Sequence, residues 1–231
     1  MNPLSGIFGE AWRIYRAHLG HLVGVGFVIF LVAAVLDLLV SLASGLIVTV
    51  LGILITLVAG YLVMAALVKS VQEIREGRGA ASIGQTLAET APVTVPVVAA
   101  AALASIGIEI GLGLVIVPGL FLLTIWSLII PVIVIERAGF LDAFGRSFQL
   151  VRSHGLQVFG TIIGTWLILF VVNLIFAYLL FALPLALRNG VATAVAGALT
   201  APFLAVVISL MYYRLAAPPA PGRPGSYPPA A

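Results

Sequence analysis

Residues able to do charge chemistry are scarce in this chain: eight carboxylates among 231 residues. Two of them, Asp37 and Glu109, stand inside long apolar runs. A carboxylate in a membrane helix costs roughly 2.5–3.5 kcal/mol on insertion scales, so each needs a reason. Both fall near the end of their run, and Arg188 is the one basic residue of the loops expected on that same side. The sharper reading is an outward polar pocket in which Asp37 and Glu109 carry or exchange charge and Arg188 balances them. The simpler reading lets each carboxylate reach the interface and stay hydrated. Asn173 lies deeper in an apolar run, where an interhelical hydrogen bond is expected of it.

Other chemistries lack their residues. His18 and His154 have no carboxylate or third histidine at metal-ligand spacing, so no metal site is assigned. The absence of cysteine excludes disulfides and thiolate ligands. There is no Gly-x-Ser-x-Gly elbow, no His-Glu-x-x-His helix and no phosphate-cradling Gly-x-x-x-x-Gly-Lys loop. No catalytic residue and no cofactor are therefore assigned, and the chain is expected not to be an enzyme.

The elements that must position these groups are membrane helices. Hydrophobic residues make up 62% of the chain and charged residues 8%, against about 25% charged in a soluble domain. A span needs about 20 mostly apolar residues. Six runs qualify: Leu22–Val40, Leu46–Val68, Val93–Gly113, Leu120–Ile135, Leu156–Phe181 and Val191–Tyr213. They are expected to pair as three hairpins, turning at Ser41–Gly45, Pro118-Gly119 and Pro184–Gly190, with a kink at Pro131. With the N-terminus inside, ten of the eleven basic residues fall on inner segments and only Arg188 falls outside. That bias predicts a multi-pass protein of the bacterial plasma (inner) membrane with both termini cytoplasmic. The first twenty residues lack the pattern of a secretory signal. Residues 1–216 read as one polytopic domain, and the proline-rich 217–231 as a disordered cytoplasmic tail.

An internal repeat organises the inner side. Phe8-Gly9-Glu10-Ala11-Trp12-Arg13-Ile14-Tyr15-Arg16-Ala17-His18 returns 136 positions later as Phe144-Gly145-Arg146-Ser147-Phe148-Gln149-Leu150-Val151-Arg152-Ser153-His154. Both stretches are amphipathic. Phe8, Trp12, Tyr15, Leu19 and Leu22 share one helical face, and so do Leu141, Phe144, Phe148 and Val151. Such helices are expected to lie in the headgroup layer, with Trp12, Arg13, Arg16, Arg146, Phe148 and Arg152 touching lipid or interface. Packing as ordinary buried helices is the alternative. A weaker third copy starts at Ile83-Gly84-Gln85-Thr86-Leu87 and is interrupted by Pro92. The expected units are 7–70, 82–136 and 140–214, in parallel orientation. The fold class is thus an all-α membrane protein: six transmembrane helices as three hairpins, with amphipathic helices before the first and third and, if the weak copy is real, the second.

The central segment carries a resemblance. It reads Pro118-Gly119-Leu120-Phe121, then Trp126-Ser127-Leu128, Pro131, Glu136, and Ala143-x-x-Arg146-Ser147-Phe148-x-Leu150-Val151. This resembles the membrane-domain family of glycerophosphoryl diester phosphodiesterases and related six-span bacterial inner-membrane proteins, as does Ala11-Trp12-Arg13-Ile14-Tyr15-Arg16 near the start. The resemblance is best over 80–165. It implies a membrane module without the separate phosphodiesterase barrel, to which nothing here is similar. Glu136 is expected to form a structural ion pair with Arg146, or with Arg152 on the same segment, that fixes the interfacial helix to the bundle, with binding of lipid phosphate as the alternative. The function expected is a module binding lipid headgroups or a partner protein in envelope lipid handling or transport. The alternative is a transporter or channel subunit built on the outward pocket. Expected partners are membrane lipids and another membrane protein or a soluble enzyme, and not nucleic acid.

Overall fold

A computed structural model describes residues 3–41, 45–77, 82–179, 181 and 185–216, without the side chains of 33–34, 37–41 and 185–196. The expected tail, 217–231, lies outside the described residues. Every regular element among them is helical. In lipid, only a helix or a closed barrel satisfies each backbone group internally, and long Leu/Ile/Val/Ala runs without periodic turn signals leave the helix.

A short helix α1 (Ile7–Ala17) starts after Gly6, whose φ of 71° suits glycine, and gives way at His18 to α2 (Leu19–Ser41). The chain bends by 80° between them. Then come α3 (Leu46–Arg75), α4 (Ile83–Thr90), a 3-10 turn at Ala91–Val93, α5 (Thr94–Leu114), α6 (Ile116–Ile125), α7 (Ile129–Glu136), α8 (Phe140–Val151), α9 (Gly155–Leu179) and α10 (Leu185–Ala216). Five helical stretches are long and apolar enough to cross a membrane: α3, α4 with α5, α6 with α7, α9, and the part of α10 from Gly197. The 23 residues of α2 reach about 34 Å at about 1.5 Å per residue, past the roughly 30 Å hydrocarbon core, and make the sixth.

Burial is inverted relative to a soluble protein. The most apolar windows of α3 and α9 are each only 11% buried within the protein, so lipid must cover the rest. The protein core gathers at one end of the bundle. Ala65–Val68 and Val71 of α3, Val132 and Ile133 of α7, and Val206, Leu210 and Met211 of α10 are almost wholly enclosed there. This end also carries Lys69, Arg75, Arg146 and Arg214 and is called the arginine-rich end below.

The packing has cyclic order. Spans pair as hairpins, α2 on α3, α5 on α6 and α9 on α10. Each short helix packs mainly on the second span of the hairpin before it: α4 on α3, α8 on α7, and α1 on α10, closing the ring. The three second spans, α3, α7 and α10, touch one another pairwise at the centre.

Several turns differ from the sequence expectation. The chain reverses at Val115, which is extended, and Pro118 sits in the first turn of α6. A proline needs no N–H there, so it starts a helix rather than ending one. Gly119 serves close packing instead: a Cβ on it would fall 2.5 Å from the backbone nitrogen of Leu112. The break expected at Pro131 lies one turn earlier, at Trp126–Leu128, because Pro131 cannot donate to the carbonyl of Ser127. Around Pro184–Gly190 the helix α10 already runs from Leu185. The second short helix, α4, does not turn away: Ile83–Leu114 runs as one apolar stretch, with the 3-10 turn accommodating Pro92. Asn173 donates to Leu169 on its own helix at 2.8 Å rather than to a neighbour.

Candidate functional site at the arginine-rich end

The three short helices dock through the same repeat position. Ala11, Thr86 and Ser147 align in the three copies, and all are 0% exposed. A small residue there lets the helix axis approach the inner span closely. Ser147 does more. Its Oγ donates to the carbonyl of Ile125 at 2.7 Å and accepts from the N–H of Leu128 at 3.2 Å. These are two of the backbone groups that the break between α6 and α7 leaves without helical partners. Thr86 Oγ1 donates to Glu73 Oε2 of α3 at 3.5 Å, and α4 is further tied to α3 by Lys69 and Glu89 at 2.9 Å. A capping box of Ser82 and Gln85 starts α4.

At the first and third joints the preceding repeat position carries the charge that clamps the helix, while in the second copy it is Gln85 of the capping box. Glu10 and Arg146 are aligned and opposite in sign, and their partners are swapped to match. Glu10 pairs with Arg214 of α10 at 2.5 Å and Arg75 of α3 at 3.4 Å. Arg146 Nε donates to both oxygens of Glu136 of α7, at 3.0 and 3.1 Å. Each clamp has an aromatic support: the Arg75 guanidinium lies 4.5 Å from the ring centroid of Tyr213, and Tyr212 donates to Glu136 at 2.9 Å. Arg214 also holds the N-terminal strand of chain through the carbonyls of Pro3 and Ser5, at 3.1 and 2.8 Å. Tyr15 donates to the carbonyl of Leu199 at 3.0 Å, and burial pushes its phenol above the usual range, which keeps it a donor.

This separates the basic residues into two sets. Lys69, Arg75, Arg146 and Arg214 are engaged in ion pairs. Arg13, Arg16, Arg137 and Arg152 are exposed and have no ion-pair partner among the described residues. Exposed aromatics stand with them: Trp12 is 54% and Phe148 41% exposed. The buried face of α1 is Ile7, Ala11 and Tyr15, rather than the full aromatic stripe expected from spacing. Trp12 turns outward, while the ring of Phe8 packs where Gly164 of α9 leaves room. The short helices are therefore docked on one face and open on the other, which combines the two sequence readings.

Of the expected residues, Glu136 and Arg146 are brought together. Trp12, Arg13, Arg16, Phe148 and Arg152 lie on the open faces of α1 and α8. Glu109 is exposed on α5, while the side chains of Asp37 and Arg188 lie outside the described residues. Among the described residues no three His, Asp or Glu gather as a metal site. The sequence reading missed the joint formed by Ser147, the acceptor role of Glu10, and Tyr212. The alignment of Ala11 with Ser147 was the available signal for the first, since two small residues at one repeat position mark a close contact. Among buried charges it also passed over Glu73, 3% exposed.

Two apolar grooves open beside the short helices, and Arg152 lines one of them. One groove of about 590 Å³ runs between α6, α8 and the start of α9, and a second of about 480 Å³ between α1, α9 and α10. No family model matches the chain, and neither the curated proteins nor the solved structures compared with it give a match.

Proposed function

We propose that this chain is a multi-pass module of a bacterial plasma membrane, with both termini cytoplasmic, that holds anionic lipid headgroups at its inner surface and takes part in lipid handling without a catalytic site of its own. The observation that supports this reading is the division of the arginines. Those that clamp the bundle are neutralised by carboxylates. Those left over, Arg13, Arg16 and Arg152, project with Trp12 and Phe148 from the short helices on one end. Cations beside interfacial aromatics fit phosphate-bearing headgroups, at about 1 kcal/mol for each basic residue near an anionic surface. The motif around Glu136 and Arg146-Ser147 is consistent with the phosphodiesterase-associated membrane domain named above, and membership of that family is part of the proposal.

The test is retention of anionic phospholipid by the protein purified from mixed-lipid membranes in neutral detergent. The combined Arg13→Gln, Arg16→Gln, Arg152→Gln variant is expected to retain far less than wild type. Arg75→Gln, which removes a clamped charge, is expected to retain the wild-type amount. Equal retention by the triple variant would sink the headgroup reading, and loss of a co-purifying protein instead of lipid would replace it with a partner-docking one.

A further inference from the structure

We infer that the two repeat-related grooves are not equivalent, and that only the one beneath α8 is a phospholipid site that reads both chain and headgroup. The inference rests on the headgroup reading above and adds to it a place and an occupant.

The grooves lie on corresponding faces of corresponding helices. Phe148, Val151 and Gly155 line the one under α8; Trp12, Tyr15 and Leu19, their mates 136 positions earlier, line the one beside α1. Both volumes fall in the range of about 300–1,000 Å³ that holds small-molecule ligands. Both are open to the surface that lipid covers, so the occupant is a lipid chain. They part company in charge. Arg152 is itself part of the lining of the α8 groove, beside the apolar Leu120, Phe121 and Phe159. Its guanidinium has no ion-pair partner among the described residues. The α1 groove has no charged residue in its lining; at the position next to Arg16 it presents Tyr15, whose hydroxyl is already given to Leu199. An apolar trough ending on a free cation matches one molecule: a phospholipid with its acyl chain along α6 and its phosphate at Arg152. A trough with no cation in its lining does not itself select the headgroup of the chain it takes.

Tryptophan quenching by dibrominated lipids reads each groove separately. Trp12 is the native probe of the α1 groove. Phe148→Trp, which installs the repeat mate's own side chain, probes the other in a Trp12→Phe, Trp166→Phe background; the same background without Phe148→Trp corrects for Trp126. Each protein is reconstituted into vesicles of phosphatidylcholine mixed with dibrominated phosphatidylglycerol, or of phosphatidylglycerol mixed with dibrominated phosphatidylcholine. The probe at position 148 is expected to favour phosphatidylglycerol by about fivefold in relative association, the equivalent of about 1 kcal/mol for one basic residue, and Arg152→Gln is expected to abolish that preference. Trp12, near Arg13 and Arg16 but in a groove whose lining holds no cation, is expected to show a smaller preference that Arg152→Gln leaves unchanged. A preference at position 148 that survives Arg152→Gln, or one that is equal in both grooves, overturns the inference while leaving headgroup binding in place. No preference at position 148 overturns it as well, and if the retention experiment also shows no anionic lipid, both readings fall.

Discussion

Replacing Ser147 by alanine should destabilise the protein by about 2–4 kcal/mol, because one hydroxyl pairs two backbone groups that a helix break leaves without helical partners. Ile129 donates to Trp126 rather than to Ile125, so the Ile125 carbonyl has Ser147 as its donor, and the Leu128 N–H has it as acceptor. Leu128 and Ser147 are both 0% exposed, which denies the Leu128 N–H water as a substitute, and the bond to the Ile125 carbonyl is part-buried. A buried polar group left unpaired costs about 1–3 kcal/mol, and alanine leaves two. Side-chain hydrogen bonds between membrane helices average only about 0.6 kcal/mol, since their partners find alternatives when separated. The larger figure applies here because a broken backbone has no alternative without rebuilding the break. Trp126 sits at the break with its ring edge-on to Phe144 at 5.1 Å, so its fluorescence follows this joint directly. Unfolding titrated with a denaturing detergent, read at Trp126 in a Trp12→Phe, Trp166→Phe background, gives the shift. A Ser147→Ala variant within about 0.5 kcal/mol of its parent, the range of ordinary surface changes, would show that Ser147 does not hold this joint.

The same measurement orders the remaining predictions. Glu136→Ala should cost about 1–3 kcal/mol because it strands the hydroxyl of Tyr212, a residue only 5% exposed. Arg146→Gln should cost only about 0.5–1 kcal/mol, since that side chain is 41% exposed and the pair is partly screened; an Arg146 cost larger than the Glu136 cost would contradict the assignment. Gly119→Ala should destabilise by about 1–3 kcal/mol by driving α5 from α6, while Gly113→Ala, with open space around it, should be neutral or stabilising by up to about 1 kcal/mol. Arg137 holds a left-handed φ of 57°, so Arg137→Gly should not destabilise, and a loss above about 1 kcal/mol would show an unrecognised role for its side chain.

The spans were legible because the apolar runs are long and a helix in lipid has no rival but a barrel. Their ends were less so. Pro118 and Pro131 read as turn and kink, yet each sits in a first helical turn where its missing N–H costs nothing, and the breaks fall at Val115 and at Trp126–Leu128. The repeat of Phe8–His18 at Phe144–His154 located two docked helices, but not the span each would dock on. That choice depends on the cyclic order, in which α1 closes on α10 from the far end of the chain. The Glu136–Arg146 contact was accessible because ten residues of local chain separate the pair. Glu10 with Arg214 was not, because charges 204 positions apart leave no mark on local sequence.

Headgroup binding by this chain requires that both repeat helices, and with them Arg16 and Arg152, face the same side of the membrane, opposite Glu109. The chain has no cysteine, so single substitutions report cleanly. Arg16→Cys, Arg152→Cys and Glu109→Cys, each labelled with a membrane-impermeant maleimide in sealed right-side-out and inverted vesicles, test it directly. Positions 16 and 152 are expected to label together in inverted vesicles and position 109 only in right-side-out ones. Positions 16 and 152 labelling from opposite sides would contradict it.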